Sequence, residues 1–147
     1  MIDRSFIGHV FDPFTVEVEK GRIRFFARTI GETNPVFTDE ATARAAGYAS
    51  LPLPPTQLFC LEMDGPDPFL FFNRLGLDFA RLLHGEQSFA YKRVVCAGER
   101  LTFTQKVADI YDKKNGALEF VLRETAVDDE AGRRVADLKS TLVIRNG

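Results

Sequence analysis

Residues 31–37 read Gly31-Glu32-Thr33-Asn34-Pro35-Val36-Phe37, and this stretch determines where the first helix must stop. A residue before proline is pushed out of the right-handed helical region, so Asn34 takes an extended or turn backbone and the segment is a loop. Upstream, Ile23, Phe26, Ala27 and Ile30 recur at i, i+3, i+4 and i+7, with Arg22, Arg24 and Arg28 elsewhere on the wheel. They predict an amphipathic helix from Lys20 that ends near Gly31. Downstream, Thr38-Asp39-Glu40 supplies an N-cap and an acidic first turn for a short Ala-rich helix, Ala41 to Ala46, closed by Gly47. Leu51-Pro52-Leu53-Pro54-Pro55-Thr56 is then a rigid extended lead-in, with Thr56 as N-cap of an apolar helix through Leu58, Phe59, Leu61 and Glu62. Asp64-Gly65-Pro66-Asp67-Pro68 ends it.

The second half of the chain changes hydrophobic period. Gln87 to Val95, Leu101 to Asp112, Ala117 to Val127 and Arg134 to Ile144 are predicted strands. In the last, Leu138, Leu142 and Ile144 share one face and Asp137, Lys139 and Thr141 the other. Turns at 97–99, 113–116 and 128–132 join the strands into an antiparallel meander, with the helices gathered in the first half. This is an α+β layout, and 147 residues fit one domain spanning 1–147.

Composition narrows the classes. A chain 45% hydrophobic and 27% charged is globular rather than disordered or fibrous, and a net charge of −2 argues against a nucleic-acid footprint built on a basic patch. Only Cys60, Cys96, His9 and His84 offer sulfur or imidazole, so neither a metal site nor a disulfide framework is expected, and no cofactor is implied. Met1 to Ser5 runs into acidic and proline-containing sequence, and the apolar run Phe69 to Phe72 is far short of a membrane span. A cytoplasmic, soluble protein is expected. Fourteen phenylalanines and no tryptophan make an aromatic surface that belongs in a core, an interface or a ligand channel.

The amphipathic helix, the 31–37 loop, the Ala-rich helix, the proline lead-in and the four long strands together resemble the MaoC-like hot-dog hydratases and dehydratases over nearly the whole chain. The resemblance implies a hot-dog fold, a curved antiparallel sheet around a long central helix, dimerising by edge pairing. In that family the loop reads Gly-Asp-x-Asn-Pro-aliphatic-His, and its Asp and His activate the water that adds across an enoyl thioester. Gly31, Asn34, Pro35 and Val36 match, but Glu32 stands for the Asp and Phe37 for the His. Phenylalanine transfers no proton. Pro54-Pro55-Thr56 occupies the stretch where catalytic members use a glycine N–H as oxyanion donor, and a proline has no N–H to give. Gly47-Tyr48, Pro55-Thr56-x-x-Phe59, Tyr91-Lys92-Arg93 and Ala97-Gly98-Glu99 are similar to the substrate-binding, non-catalytic half of paired hot-dog enzymes such as the mycobacterial (3R)-hydroxyacyl-ACP dehydratase.

What this implies is a subunit of an (R)-specific enoyl-thioester hydratase or 3-hydroxyacyl-thioester dehydratase. Its ligand is an acyl-CoA or acyl-carrier-protein thioester, its binding residues are Asn34, Phe37, Pro55, Thr56 and Phe59, and its partner is a second copy or a catalytic MaoC-like subunit. Phe25, Phe26, Phe69, Phe71 and Phe72 are further candidates for an apolar channel, with core or interface the plainer reading of Phe69 to Phe72. Catalytic candidates within the chain are Glu32 and His84, the latter in Leu83-His84-Gly85-Glu86-Gln87 just before a predicted strand. Used together they make a self-sufficient homodimeric hydratase; the plainer readings are an acidic turn cap and a structural histidine. A non-enzymatic acyl-binding module is a third reading. A thioesterase is a fourth and would use Glu62 or Asp64, which read more simply as solvated helix-end charges. Arg22, Arg24, Arg28 and Lys92-Arg93 are available to phosphates, or are ordinary solvated faces, and Cys60 and Cys96 read as small buried residues.

Overall fold

A computed structural model describes residues 1–146. Helix α1, Lys20–Thr29, buries Ile23 and Ala27, the pair that the apolar spacing placed on one stripe. Gly31, at φ +72°, turns the chain out of it. Asn34 then accepts the Val36 N–H through its side chain at 3.1 Å and caps a 3-10 turn over Pro35–Phe37. Asp39 caps α2, Glu40–Ala45, by accepting the Thr42 N–H at 2.7 Å.

The central helix is shorter than expected. Helix α3 spans Gln57–Leu61 and continues only as a 3-10 turn over Glu62–Asp64, because Pro54-Pro55 precedes it and Gly65-Pro66 follows. Thr56 holds the cap position with helical dihedrals and makes no capping bond through its side chain. A further short helix, α4, Leu70–Arg74, was not among the predicted elements.

Five strands, β1 (Phe14–Glu17), β2 (Leu82–Tyr91), β3 (Arg100–Lys113), β4 (Leu118–Asp128) and β5 (Arg134–Arg145), form one sheet in the order β1-β3-β4-β5-β2. The predicted four-strand meander is therefore corrected. Strands β3, β4 and β5 do follow one another, but β2 pairs with β5, so the chain crosses from one edge of the sheet to the other before β3. Period 2 reports which face a residue takes and carries no information about neighbours. Strand β1, only four residues long and just after Pro13, was too short to show that period. Strand β2 begins at Leu82 rather than Gln87, so His84 lies inside a strand and not ahead of one.

The faces are those of the reading: Leu138, Leu142 and Ile144 of β5 are buried while Lys139 is exposed. Against the apolar face lie α1, α2 and α3, in a core of Ile23, Leu58, Leu61, Leu101, Phe103 and Leu138. A second cluster, with Phe71, Phe72, Val121 and Leu142, fills the other end under α4. Each such Leu or Phe stabilises the fold by about 1.5–3 kcal/mol. The result is an α+β hot-dog domain, and no helix among the described residues is long and apolar enough to cross a membrane.

The β4–β5 turn is organised by Asp129. Its carboxylate accepts the Ala131 and Arg133 backbone N–H groups at 3.0 Å each and meets the Arg133 and Arg93 guanidinium groups at 2.9 and 3.2 Å. The Arg133 N–H, reinforced by both guanidinium groups, holds the Asp129 carboxyl at about 2, against the opposing effect of its burial. A carboxyl depressed in the folded state stabilises fully above its unfolded value, and this stabilisation is lost as pH falls from about 4 towards 2. Asp129→Asn is expected to lower Tm at neutral pH and to flatten the acid limb of the Tm–pH curve; a curve parallel to the wild type would contradict this.

Candidate functional site

The loop that carries the family framework is committed to its own structure. The Glu32 N–H donates to Ala27 O at 2.9 Å, and the Glu32 carboxylate folds back to accept the Asn34 N–H at 2.8 Å. Glu32 is half-buried and acts as the turn cap of the plainer reading. Asn34 is exposed, with its side chain occupied by Val36. The Phe37 ring is half-buried and packs against the core that contains Ile23, Leu58 and Phe103. The position where the family carries a histidine is thus a core contact.

Phe59 and His84 are brought together where α3 meets the edge strand β2, while Pro55, two residues ahead of α3, meets Tyr91 of the same strand and Thr56 is exposed between them. Tyr91 of β2 donates its hydroxyl to Pro55 O at 2.5 Å, and burial raises that hydroxyl well above its ordinary pKa. Phe59, half-buried, stacks on the exposed His84 with ring centroids 4.7 Å apart and planes 19° from parallel. Within one chain the contacts of the two catalytic candidates do not overlap: His84 meets Phe59, and Glu32 meets Asn34.

A bulge makes the second arrangement possible. His84 pairs with Leu142, and Gln87 with Ser140; both of these β5 residues are buried on the helix-facing side. Residues three apart on a regular strand face opposite ways. The register shift between His84 and Glu86 takes up the extra residue, Gly85, so that His84 and Gln87 both face α3. Gly85 has no room for a side chain: a Cβ there would lie 2.9 Å from Val143 Cγ2 and 3.2 Å from Thr141 O. The bulge also interrupts the alternation, which is why the first half of β2 escaped the sequence reading.

Glu62 is the principal correction. Read as a solvated helix-end charge, it is fully buried and paired with the equally buried Arg123 of β4, Nη2 to Oε2, at 2.9 Å. Thr125 donates its hydroxyl to the other carboxylate oxygen. Arg123 Nη2 also reaches Ser140 Oγ at 3.3 Å, and Ser140 Oγ donates to Gln87 Oε1 at 2.5 Å. The rings of Phe71 and Phe72 lie 5.3 and 5.8 Å from the guanidinium centre. Burial lowers the Arg123 pKa, and the Glu62 carboxylate opposes that shift. Two sequence signals pointed here: Arg123 and Thr125 share the apolar parity of Val121 and Val127, and Glu62 follows Leu58 by four residues. Asp64 is exposed and paired with Arg22 at 2.5 Å.

The remaining candidates separate. Phe71 and Phe72 are core residues, whereas Phe25 and Phe69 are exposed, so the aromatic set does not form one channel within a single chain. Two concavities, of about 480 and 530 Å³, lie elsewhere. One is beside Ile2, Phe6 and Arg81, the other on the sheet's outer face over Ala90 and Ala126. Arg24 donates to Thr38 O at 2.9 Å, Lys92 pairs with Asp137 at 3.4 Å, and Arg93 pairs with Glu99 at 2.6 Å; like Arg22, all are engaged within the chain. Arg28 is exposed. Cys60 and Cys96 are half-buried, and burial raises the Cys60 thiol pKa.

The FAS1-like dehydratase domain region matches residues 5–138. The chain belongs to that family. The dehydratase-region chain is also 39% identical to a UPF0336 protein of Streptomyces avermitilis over 145 residues, which cover 98% of this chain and 95% of that one. It is 41% identical over 138 residues to UPF0336 protein Lxx02810 of Leifsonia xyli, covering 90% of this chain and 87% of the relative. Among solved structures it superposes on the HadBC (3R-hydroxyacyl-ACP dehydratase) complex of Mycobacterium tuberculosis with a TM-score of 0.78 at 22% identity, over 94% of this chain and 96% of the other. R-hydratase PhaJ1 of Pseudomonas aeruginosa gives 0.72 at 19%, over 96% and 83%. A MaoC-like dehydratase gives 0.82 at 22% over 96% of this chain and 42% of its own. The chain is therefore a member of the FAS1-like dehydratase region family with a hot-dog fold, and it shares that fold with structures named as dehydratases and a hydratase.

Two substitutions test the geometry. Arg123→Met leaves Glu62 buried without its cation and is expected to destabilise by about 3–5 kcal/mol in urea unfolding, whereas a surface-like change below 1 kcal/mol would show that the pair is solvated. Gly85→Ala is expected to destabilise by about 1–3 kcal/mol through the contact with Val143, and a neutral outcome would remove the requirement for glycine at the bulge.

Proposed function

We propose that this chain is the substrate-binding subunit of an (R)-specific enoyl-thioester hydratase or 3-hydroxyacyl-thioester dehydratase, and that a separate MaoC-like chain brings the Asp/His pair. The observation that carries the reading is the state of the 31–37 loop: the framework is kept, Phe37 is packed into the core, and the Glu32 carboxylate is tied to the Asn34 N–H. Hydration places a water oxygen on C3 of the enoyl thioester and a proton on C2, so it needs a general base and a general acid at the reacting carbons. Phe37 has no proton to give or take, and the Glu32 carboxylate has one oxygen engaged by the loop's own Asn34 N–H. What the chain offers is a surface along the start of α3, where Pro55 meets Tyr91, Thr56 is exposed and Phe59 stacks on His84 of the edge strand. An acyl thioester lying along that surface meets apolar rings and the Thr56 hydroxyl. HadBC, one of the similar structures, is named as a complex, which favours a two-chain arrangement here.

The exposed His84 imidazole favours one alternative, a homodimer using Glu32 and His84 from opposite chains. The thioesterase reading loses Glu62, which is buried with both carboxylate oxygens bonded, and keeps only the exposed Asp64, itself paired with Arg22. The purified chain, alone and co-expressed with a MaoC-like chain that carries Gly-Asp-x-Asn-Pro-aliphatic-His, is to be assayed for crotonyl-CoA hydration. Background activity alone, turnover by the pair, and loss of turnover when the partner's His is replaced are expected, with Glu32→Gln in this chain nearly silent. Full activity of the lone chain that disappears in Glu32→Gln and His84→Ala would overturn the proposal in favour of the homodimer. Binding of acyl-CoA with no turnover in any pairing would make the chain a binding module.

A further inference from the structure

We infer that the buried Glu62–Arg123 pair is a positioning device that sets α3, and with it Phe59, against the edge strand β2. Helix α3 has little to hold it on its own account: five residues, no side-chain cap, and an underside of Gln57, Leu58 and Leu61. Apolar contacts are non-directional, so such a helix packs on an apolar sheet face almost equally well in several placements. The carboxylate of Glu62 removes that freedom. Its oxygens are held by Arg123 and Thr125, successive inward residues of β4, and only one placement of α3 satisfies both.

Stability alone does not account for the arrangement. A buried ion pair replaced by well-packed apolar residues of similar volume is often neutral or more stable. What the ionic version adds is direction, and the bonds run somewhere specific. From Arg123 they continue through Ser140 to Gln87 of β2, the strand whose Gly85 bulge also turns His84 onto Phe59. Tyr91 of the same strand holds Pro55 at the other end of the helix. The α3 segment thus meets the edge strand directly at Pro55 and Phe59, and is linked to it through Arg123 and Ser140 at Glu62. That Phe59 faces an acyl thioester rests on the function proposed above; the positioning does not.

The chain has two histidines, and their ring protons report the geometry without any ligand. His84 lies under the face of Phe59, whereas His9 sits edge-on between Phe6 and Phe11 at 5.8 and 4.8 Å and serves as the internal reference. The double variant Glu62→Leu/Arg123→Met leaves no unpaired charge. It is expected to unfold cooperatively, with the His84 ring-proton resonances moved towards free-histidine positions by more than those of His9, which is separated from position 123 by the Phe11 and Phe71 rings. Thr125→Val, which keeps the ion pair and removes one bond to Glu62, is the milder second variant and is expected to move His84 in the same direction by less. Unmoved His84 resonances in whichever variant folds would overturn the inference, because a pair that only stabilises shifts Tm and leaves this signature alone. No acyl compound enters the measurement, so its outcome is independent of the crotonyl-CoA assay.

Discussion

An arginine and a glutamate sealed beneath a five-residue helix constrain the rest of this domain. Removing either partner leaves a charge in a place that water does not reach, so the two are retained or lost as a unit. Because Arg123 lies on the central strand β4, its contacts radiate in every direction: to α3 through Glu62, to α4 through the Phe71 and Phe72 rings, and to β5 and β2 through Ser140 and Gln87. The two apolar clusters of the core meet at this polar centre. Leu58 and Leu61 stand in one, Phe71 and Leu142 in the other.

The 31–37 loop shows how a catalytic framework persists as architecture. The Gly31 turn, the Asn34 cap and the Pro35 backbone are requirements of the chain path between α1 and α2, and hold whatever occupies the two variable positions. A carboxylate at position 32 is useful there without chemistry, since it accepts the Asn34 N–H. A phenylalanine at position 37 adds apolar contact with the core, which a histidine would supply less well. The loop therefore folds without the family's Asp/His pair.

Much of this fold was legible in the sequence, for identifiable reasons. The buried stripe of α1, the cap and boundaries of α2, and the two faces of β5 all follow from local periodicity and local hydrogen-bonding chemistry, which act within a few residues. What was misread depends on longer-range or interrupted information. The pairing of β2 with β5 is not encoded in either strand's pattern, and the Gly85 bulge inverted parity just where β2 begins. The site divides the same way. The departure of Glu32 and Phe37 from the family loop was plain from the residues, whereas the burial of Glu62 followed only from its partner 61 residues later, Arg123, whose place on an apolar strand face was the signal that sequence reasoning passed over.

The two edges of the sheet are not equivalent, and this bears on where a second chain can matter. Strand β1 is four residues long, and its helix-facing side carries Val16, already buried. Strand β2 is ten residues long, mostly exposed, and departs from regular pairing at its bulge, a shape that discourages indiscriminate edge association. From β2, His84 stacks on Phe59 of α3, Tyr91 bonds Pro55 just ahead of it, and Gln87 joins the Arg123 network through Ser140, whereas β1 meets the helix only through the apolar core around Val16. A chain adding its own strand along β2 lies next to Phe59 and His84 and reads the helix position directly; one adding along β1 is separated from them by β3, β4 and β5. Of the two edges, β2 is thus the one at which a second chain would meet the Phe59–His84 stack, and the ion pair under α3 sets where that stack stands.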